Sequence, residues 1–114
     1  MSGVAYKIVA AEEWRRAVAE GRYHGSEVDR ADGYIHMSAG DQLAETARRH
    51  YAGREALRLL TVDLSRLGDA LVWEPSRGGA LFPHLYGPLP VSAVTEDRAV
   101  RVTADGEMTP EDAA

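Results

Sequence analysis

Residues 32–63 read DGYIHMSAGDQLAETARRHYAGREALRLLTVD. Tyr34–Met37 is a short apolar run entered through Gly33, and it reads as a strand. Ser38 with Asp41 three residues later reads as a capping box, opening a helix that runs through about Tyr51 and stops at Gly53. Leu43, Ala47 and His50 or Tyr51 recur at helical spacing and form its inner stripe. Ala56–Asp63 is rich in Leu, Thr and Val and reads as a central strand. A strand, a helix and a strand in quick succession, all short, predict an α+β domain and not a doubly wound parallel sheet.

The flanks agree with that class. Val4–Val9 reads as a strand, and Glu12–Glu20 as a helix with Trp14, Ala17 and Val18 facing inward and Gly21 as its stop. The stretch RYHGSEVDRADG reads as turn-rich. Leu71–Glu74 is another strand, and Val91–Val94 and Arg98–Thr103 offer the last ones. Between them, Pro75–Pro90 gathers four of the five prolines and three glycines. A run so long without periodicity predicts a functional loop, and Leu81, Phe82, Leu85 and Tyr86 predict that it is packed down. One globular domain is expected over 1–103, followed by an acidic flexible tail over 104–114.

The formal charge is −5, from 13 Lys plus Arg against 18 Asp plus Glu. Asp105, Glu107, Glu111 and Asp112 carry −4 of it, which leaves −1 for residues 1–103. Twelve of the 13 bases are Arg, the side chain suited to forked anion contacts. The acidity therefore belongs to the end of the chain and is compatible with a phosphorylated ligand, while a nucleic-acid partner is not expected. With no Cys there is no disulfide, thiolate nucleophile or Cys-ligated metal. The four histidines show no metal-ligand spacing, so no metal is expected. No G-x-S-x-G elbow is present. No apolar run nears the roughly 20 residues that span a bilayer, and MSGVAYKIVAAEEW shows no secretory leader, so a cytoplasmic address is expected.

Three places carry the candidate chemistry. On the Tyr34–Ser38 strand, Tyr34, His36 and Ser38 share one face, as the lining of a cleft would; Ser38 serves equally as a helix cap. In WEPSRGG (73–79), Arg77 beside two glycines forms an anion-compatible turn, and Glu74 at the strand end is either a base or a partner of Arg77. In FPHLYGP (82–88), two prolines stiffen a loop that presents His84 and Tyr86, a surface for a planar ligand.

On these motifs the chain resembles the domain-of-unknown-function family 952, small bacterial proteins whose pattern runs through DGYIHMS, QLAETARRHYAG and LFPHLYGPLP. A more distant resemblance joins YIHMS, the following helix, LLTVDLSRLGDALVW and an S-x-x-G turn at Ser76–Gly79. That pattern looks like the catalytic half of tRNA 2′-phosphotransferases. It implies an ADP-ribosyltransferase-like split β-sheet with two main helices and NAD in the cleft. By that resemblance His36 fixes the ribose hydroxyls, Tyr34 or Tyr86 stacks on the nicotinamide, Glu74 stabilises the ribosyl cation, and Arg77 or Lys7 holds the pyrophosphate. The first strand reads Ala-Tyr-Lys-Ile where active relatives carry Arg or His, and Pro75 precedes Ser76 where they carry Arg. No counterpart of their RNA-binding half is seen, so RNA 2′-phosphotransfer is not expected. The alternatives are a non-catalytic small-molecule-binding module that keeps the cleft, and a protein-interaction module whose partner the residues do not name.

Overall fold

The structure, a computed structural model, describes residues 3–111, the side chain of Arg77 excepted. Its strands are β1 (Val4–Ala10), β2 (Arg22–Tyr23), β3 (Ile35–His36), β4 (Leu57–Asp63), β5 (Leu71–Pro75), β6 (Leu81–Leu85), β7 (Leu89–Pro90), β8 (Val94–Val102) and β9 (Met108–Pro110). Its helices are α1 (Ala11–Glu20), α2 (Glu27–Asp32) and α3 (Leu43–His50). The described chain is one α+β domain.

The larger sheet is antiparallel in the order β1-β4-β8-β9, so β4 is internal, paired on both sides. Both faces of this sheet are covered. On one, Ile8, Leu57, Val100 and Val102 pack under α3 through Ala47, with Leu43 and Tyr51 at the margin. On the other, Ala5, Val9, Leu60 and Val62 meet Trp14 and Ala17 of α1 and the apolar residues Ile35, Met37 and Leu85 of a second sheet. That smaller sheet is three-stranded, in the order β3-β6-β5, and β2 pairs with β7 as a separate ribbon. Besides this shared core, one isolated backbone bridge joins the two larger sheets among the described residues. Tyr6 and Ser38 exchange backbone hydrogen bonds of 2.8 and 2.9 Å, and β1 and β3 part beyond that bridge.

Several expectations are corrected. Ser38 does not cap the following helix. Both its backbone groups are spent on Tyr6, which holds it extended, and α3 begins only at Leu43 after a turn. Val18 is 51% exposed, since α1 rests on the sheet through Trp14 and Ala17 alone. The turn-rich stretch after Gly21 holds a third helix, α2. Ser26 and Asp29 form a reciprocal capping box there, and Gly33 closes the helix at φ 90°.

The proline-rich stretch is not a loop throughout, because β6 is the middle strand of the smaller sheet. Pro83 is tolerated because its carbonyl accepts from Met37 N–H (3.1 Å) at the end of the β3 ladder, where the missing N–H removes one marginal bond. Of the last two strands expected, Val91–Ala93 is a 3-10 turn, and the other is part of a longer β8 that begins at Val94. Within the stretch expected to fray, β9 pairs with β8, and Met108 packs against the core under α3. Asp112 lies outside the described residues. Among those described, no helix is long and apolar enough to cross a membrane.

Candidate functional site

The parting of β1 from β3 leaves a wedge, and the wedge is a cleft of about 620 Å³, within the range of small-molecule sites. Its floor is the free edge of β1. Its walls are α2 and β3 on one side and α3 with the segment to Arg54 on the other. Lys7, His36, Ser38 and His84 all line it, so four of the expected site residues meet in one place. Ser76 also reaches it, while the Arg77 side chain lies outside the described residues. The backbone of Arg77–Gly79 is a tight turn with positive φ at Gly78 and Gly79 (68° and 84°).

Asp29 organises the bottom of the wedge, and the sequence reading missed it. The capping box of α2 places it under the cleft, 2% exposed. Its carboxylate lies 3.0 Å from Lys7 Nζ and accepts from His36 Nδ1 at 2.6 Å and from the backbone N–H of His36 at 3.2 Å. Burial alone would raise its pKa. The bond from His36, the Lys7 charge and the Ser26 N–H outweigh burial and hold the carboxyl well below the usual carboxylate range. Lys7 is itself buried, and that burial pulls its pKa down against the opposing pull of Asp29.

On its other side, His36 Nε2 lies 3.0 Å from Asp32, so the imidazole is gripped at both nitrogens. The Ser38 hydroxyl is hydrogen-bonded to Thr46 of α3 at 2.9 Å. Tyr23 reaches the cleft with a buried hydroxyl that has no hydrogen-bond partner among the described residues. Burial, reinforced by Asp29 and Glu13, pushes that phenol up.

The second group stands on one face of the smaller sheet. His36, His84 and Val72 lie abreast across β3, β6 and β5, and Glu74 is opposite Phe82, so Tyr34, His36, His84, Tyr86 and Glu74 share a face by alternation. Tyr34 stacks on His84, with centroids 4.1 Å apart, and tilts against both His36 (4.6 Å) and Tyr86 (5.2 Å). Glu74 accepts from His84 Nδ1 and from the Tyr86 hydroxyl, each at 2.7 Å. These two bonds, His84 first, depress the Glu74 pKa, and Glu74 in turn raises that of Tyr86. Tyr34, Tyr86 and Glu74 do not border the wedge themselves. They fix His84, which does.

The arrangement is thus two carboxylate–histidine pairs, Asp29–His36 and Glu74–His84, with ring centroids 5.6 Å apart. A carboxylate behind an imidazole fixes its orientation and proton placement, the preparation a histidine needs to bind or transfer a proton. No group of three or more His, Cys, Asp or Glu among the described residues has metal-holding geometry.

A model of the family described as "Protein of unknown function (DUF952)" matches residues 8–97. The crystal structure of protein CC0527 from Caulobacter crescentus is 51% identical, with a TM-score of 0.88 over 93% of each chain. The solution NMR structure of CC0527 gives a TM-score of 0.81 at 51% identity, over 93% of this chain and 91% of that one. No curated protein matches.

Proposed function

This chain belongs to the DUF952 family of proteins of unknown function, and from that premise we propose that its cleft binds a nucleotide-derived ligand of the NAD or ADP-ribose class and transfers the ADP-ribosyl group. The observation that carries the reading is His36, held in the wedge between Asp29 at 2.6 Å and Asp32 at 3.0 Å. Asp29 is buried and locks Nδ1, whereas Asp32 is exposed, so a sugar hydroxyl entering the wedge reaches Nε2 by displacing Asp32. Two sheets joined at one bridge and splayed around a cleft are also what an ADP-ribosyltransferase-like split sheet would produce. In this reading Glu74 acts through His84, whose ring it orients from outside the wedge. Tyr34 and Tyr86 act by setting His84, and Ser38 completes the sugar contacts.

A second reading, binding without turnover, rests on a specific observation. Glu74 already accepts two hydrogen bonds, and the Lys7 charge is matched by Asp29. The strand that would bring a free cation to a pyrophosphate brings an ion pair instead.

Calorimetry with NAD, ADP-ribose and nicotinamide on the wild type and on His36→Ala tests both. A bound nucleotide stabilises the fold by about 2.7 kcal/mol at a hundredfold excess over Kd. Saturable binding that His36→Ala abolishes, with nicotinamide released from NAD, supports the transferase. Binding without release supports the second reading, and no binding of any of the three overturns both.

A further inference from the structure

We propose that the α3 side of the cleft is an anion site in which Arg54 takes a phosphate or pyrophosphate group of the ligand. The inference rests on the reading of the cleft as a nucleotide site and says which end receives the phosphate. Lys7 is poorly suited to that task, being buried and ion-paired with Asp29 at 3.0 Å.

Arg54 is held differently. Its backbone N–H donates to the Tyr51 carbonyl at 3.0 Å, and its carbonyl accepts from Val102 N–H at 2.9 Å. Its guanidinium lies over the Tyr51 ring, 5.1 Å from the centroid, and the Tyr51 hydroxyl donates to the Ile8 carbonyl of β1 at 3.1 Å. The side chain is therefore positioned by a ring that is itself pinned to the cleft floor, which lowers the entropy lost on forming a forked contact.

No carboxylate pairs with Arg54 among the described residues, whereas Arg49, Arg58 and Arg66 are each bound to an acid. The acids of the cleft stand on α1 and α2: Glu13, Glu27, Asp29 and Asp32. The three on α2 repel an anion from that wall, and two of those are already engaged by Lys7 and His36. Burial raises the Tyr51 pKa, and Glu13 on α1 lies near enough to push it up further. His36 lies on the β3 wall and Arg54 on the α3 wall, so the two residues face the cleft from different elements. Sugar contacts on one wall and a phosphate contact on the other follow from that placement.

Inorganic pyrophosphate is the probe, titrated into the wild type, Arg54→Ala, Arg54→Lys and Arg98→Ala with amide chemical shifts as readout. Arg54 is exposed, so its replacement leaves the fold intact, and Arg98→Ala removes the same charge from a residue that does not line the cleft. The expected result is saturable binding with shifts at residues 50–54, weakened roughly tenfold or more in Arg54→Ala, partly restored in Arg54→Lys and unchanged in Arg98→Ala. No binding to the wild type, or equal loss in Arg54→Ala and Arg98→Ala, overturns the site. Nicotinamide riboside, which has no phosphate, tests the His36 end separately. Its failure to bind would count against the proposed function, while pyrophosphate binding would still uphold Arg54.

Discussion

Asp29 shows how much can depend on one side chain. Nearly all of it is removed from water, and its carboxylate is satisfied by Lys7, by the ring and backbone of His36 and by the Ser26 N–H. Replacing it by Ala strands a buried ammonium, and the expected cost is about 3–5 kcal/mol in urea unfolding. The sign of its pH effect follows from its depressed folded-state pKa. Its contribution is complete above the unfolded value of about 3.9 and is lost as pH falls through the lower folded value. Wild-type stability should thus drop between about pH 4 and pH 2, and Asp29→Asn, with no carboxylate to protonate, should show a shallower drop. Equal slopes would remove Asp29 from this role. The local signal for Asp29 was present, as Ser26 with an acid three residues on. Its function was not legible, because Lys7 and His36 reach it across 22 and seven residues of chain.

At the scale of elements, two segments read as irregular turned out to be strands, for different reasons. Prolines hid β6, since a proline ordinarily excludes a central strand; only the register with β3 shows that Pro83 sits where its missing N–H matters little. Polarity hid β9, which lies at the edge of its sheet and buries little besides Met108.

The turn into β9 is tight. Gly106 has φ 90°, and a Cβ there would lie 2.5 Å from Arg48 Cγ and 3.0 Å from Arg48 Cα. Gly106→Ala should therefore cost about 2–3 kcal/mol, combining left-handed strain with overpacking against α3. Gly21→Ala, at φ 89° with open space around it, should cost only about 1 kcal/mol. The comparison is made by chemical denaturation of both variants, and equal losses would refute the packing contribution.

For the whole molecule, a radius of gyration of 13.3 Å is what a compact chain of this length adopts. Protection should be uneven within it. Amides of β4, paired on both sides and under two cores, are expected to exchange slowest, and the outer amides of β5, an edge strand with Val72 and Trp73 exposed, fastest. Native-state hydrogen exchange reads this order directly.

The sequence by itself determined the α+β class, the membership of the family, the first strand and the two longer helices, and His36 and His84 as residues to watch. Each of these rests on local information: alternation, helical spacing, caps, or a motif with recognisable residues. Only the tertiary structure decided that β1 and β3 meet at Tyr6 and Ser38 and then part, that Asp29 lies beneath the resulting wedge, and that Tyr34, Tyr86 and Glu74 support His84 without bordering the cleft. Those facts depend on pairing between segments distant in the chain, and register across such gaps is set by the packing of both sheet faces together.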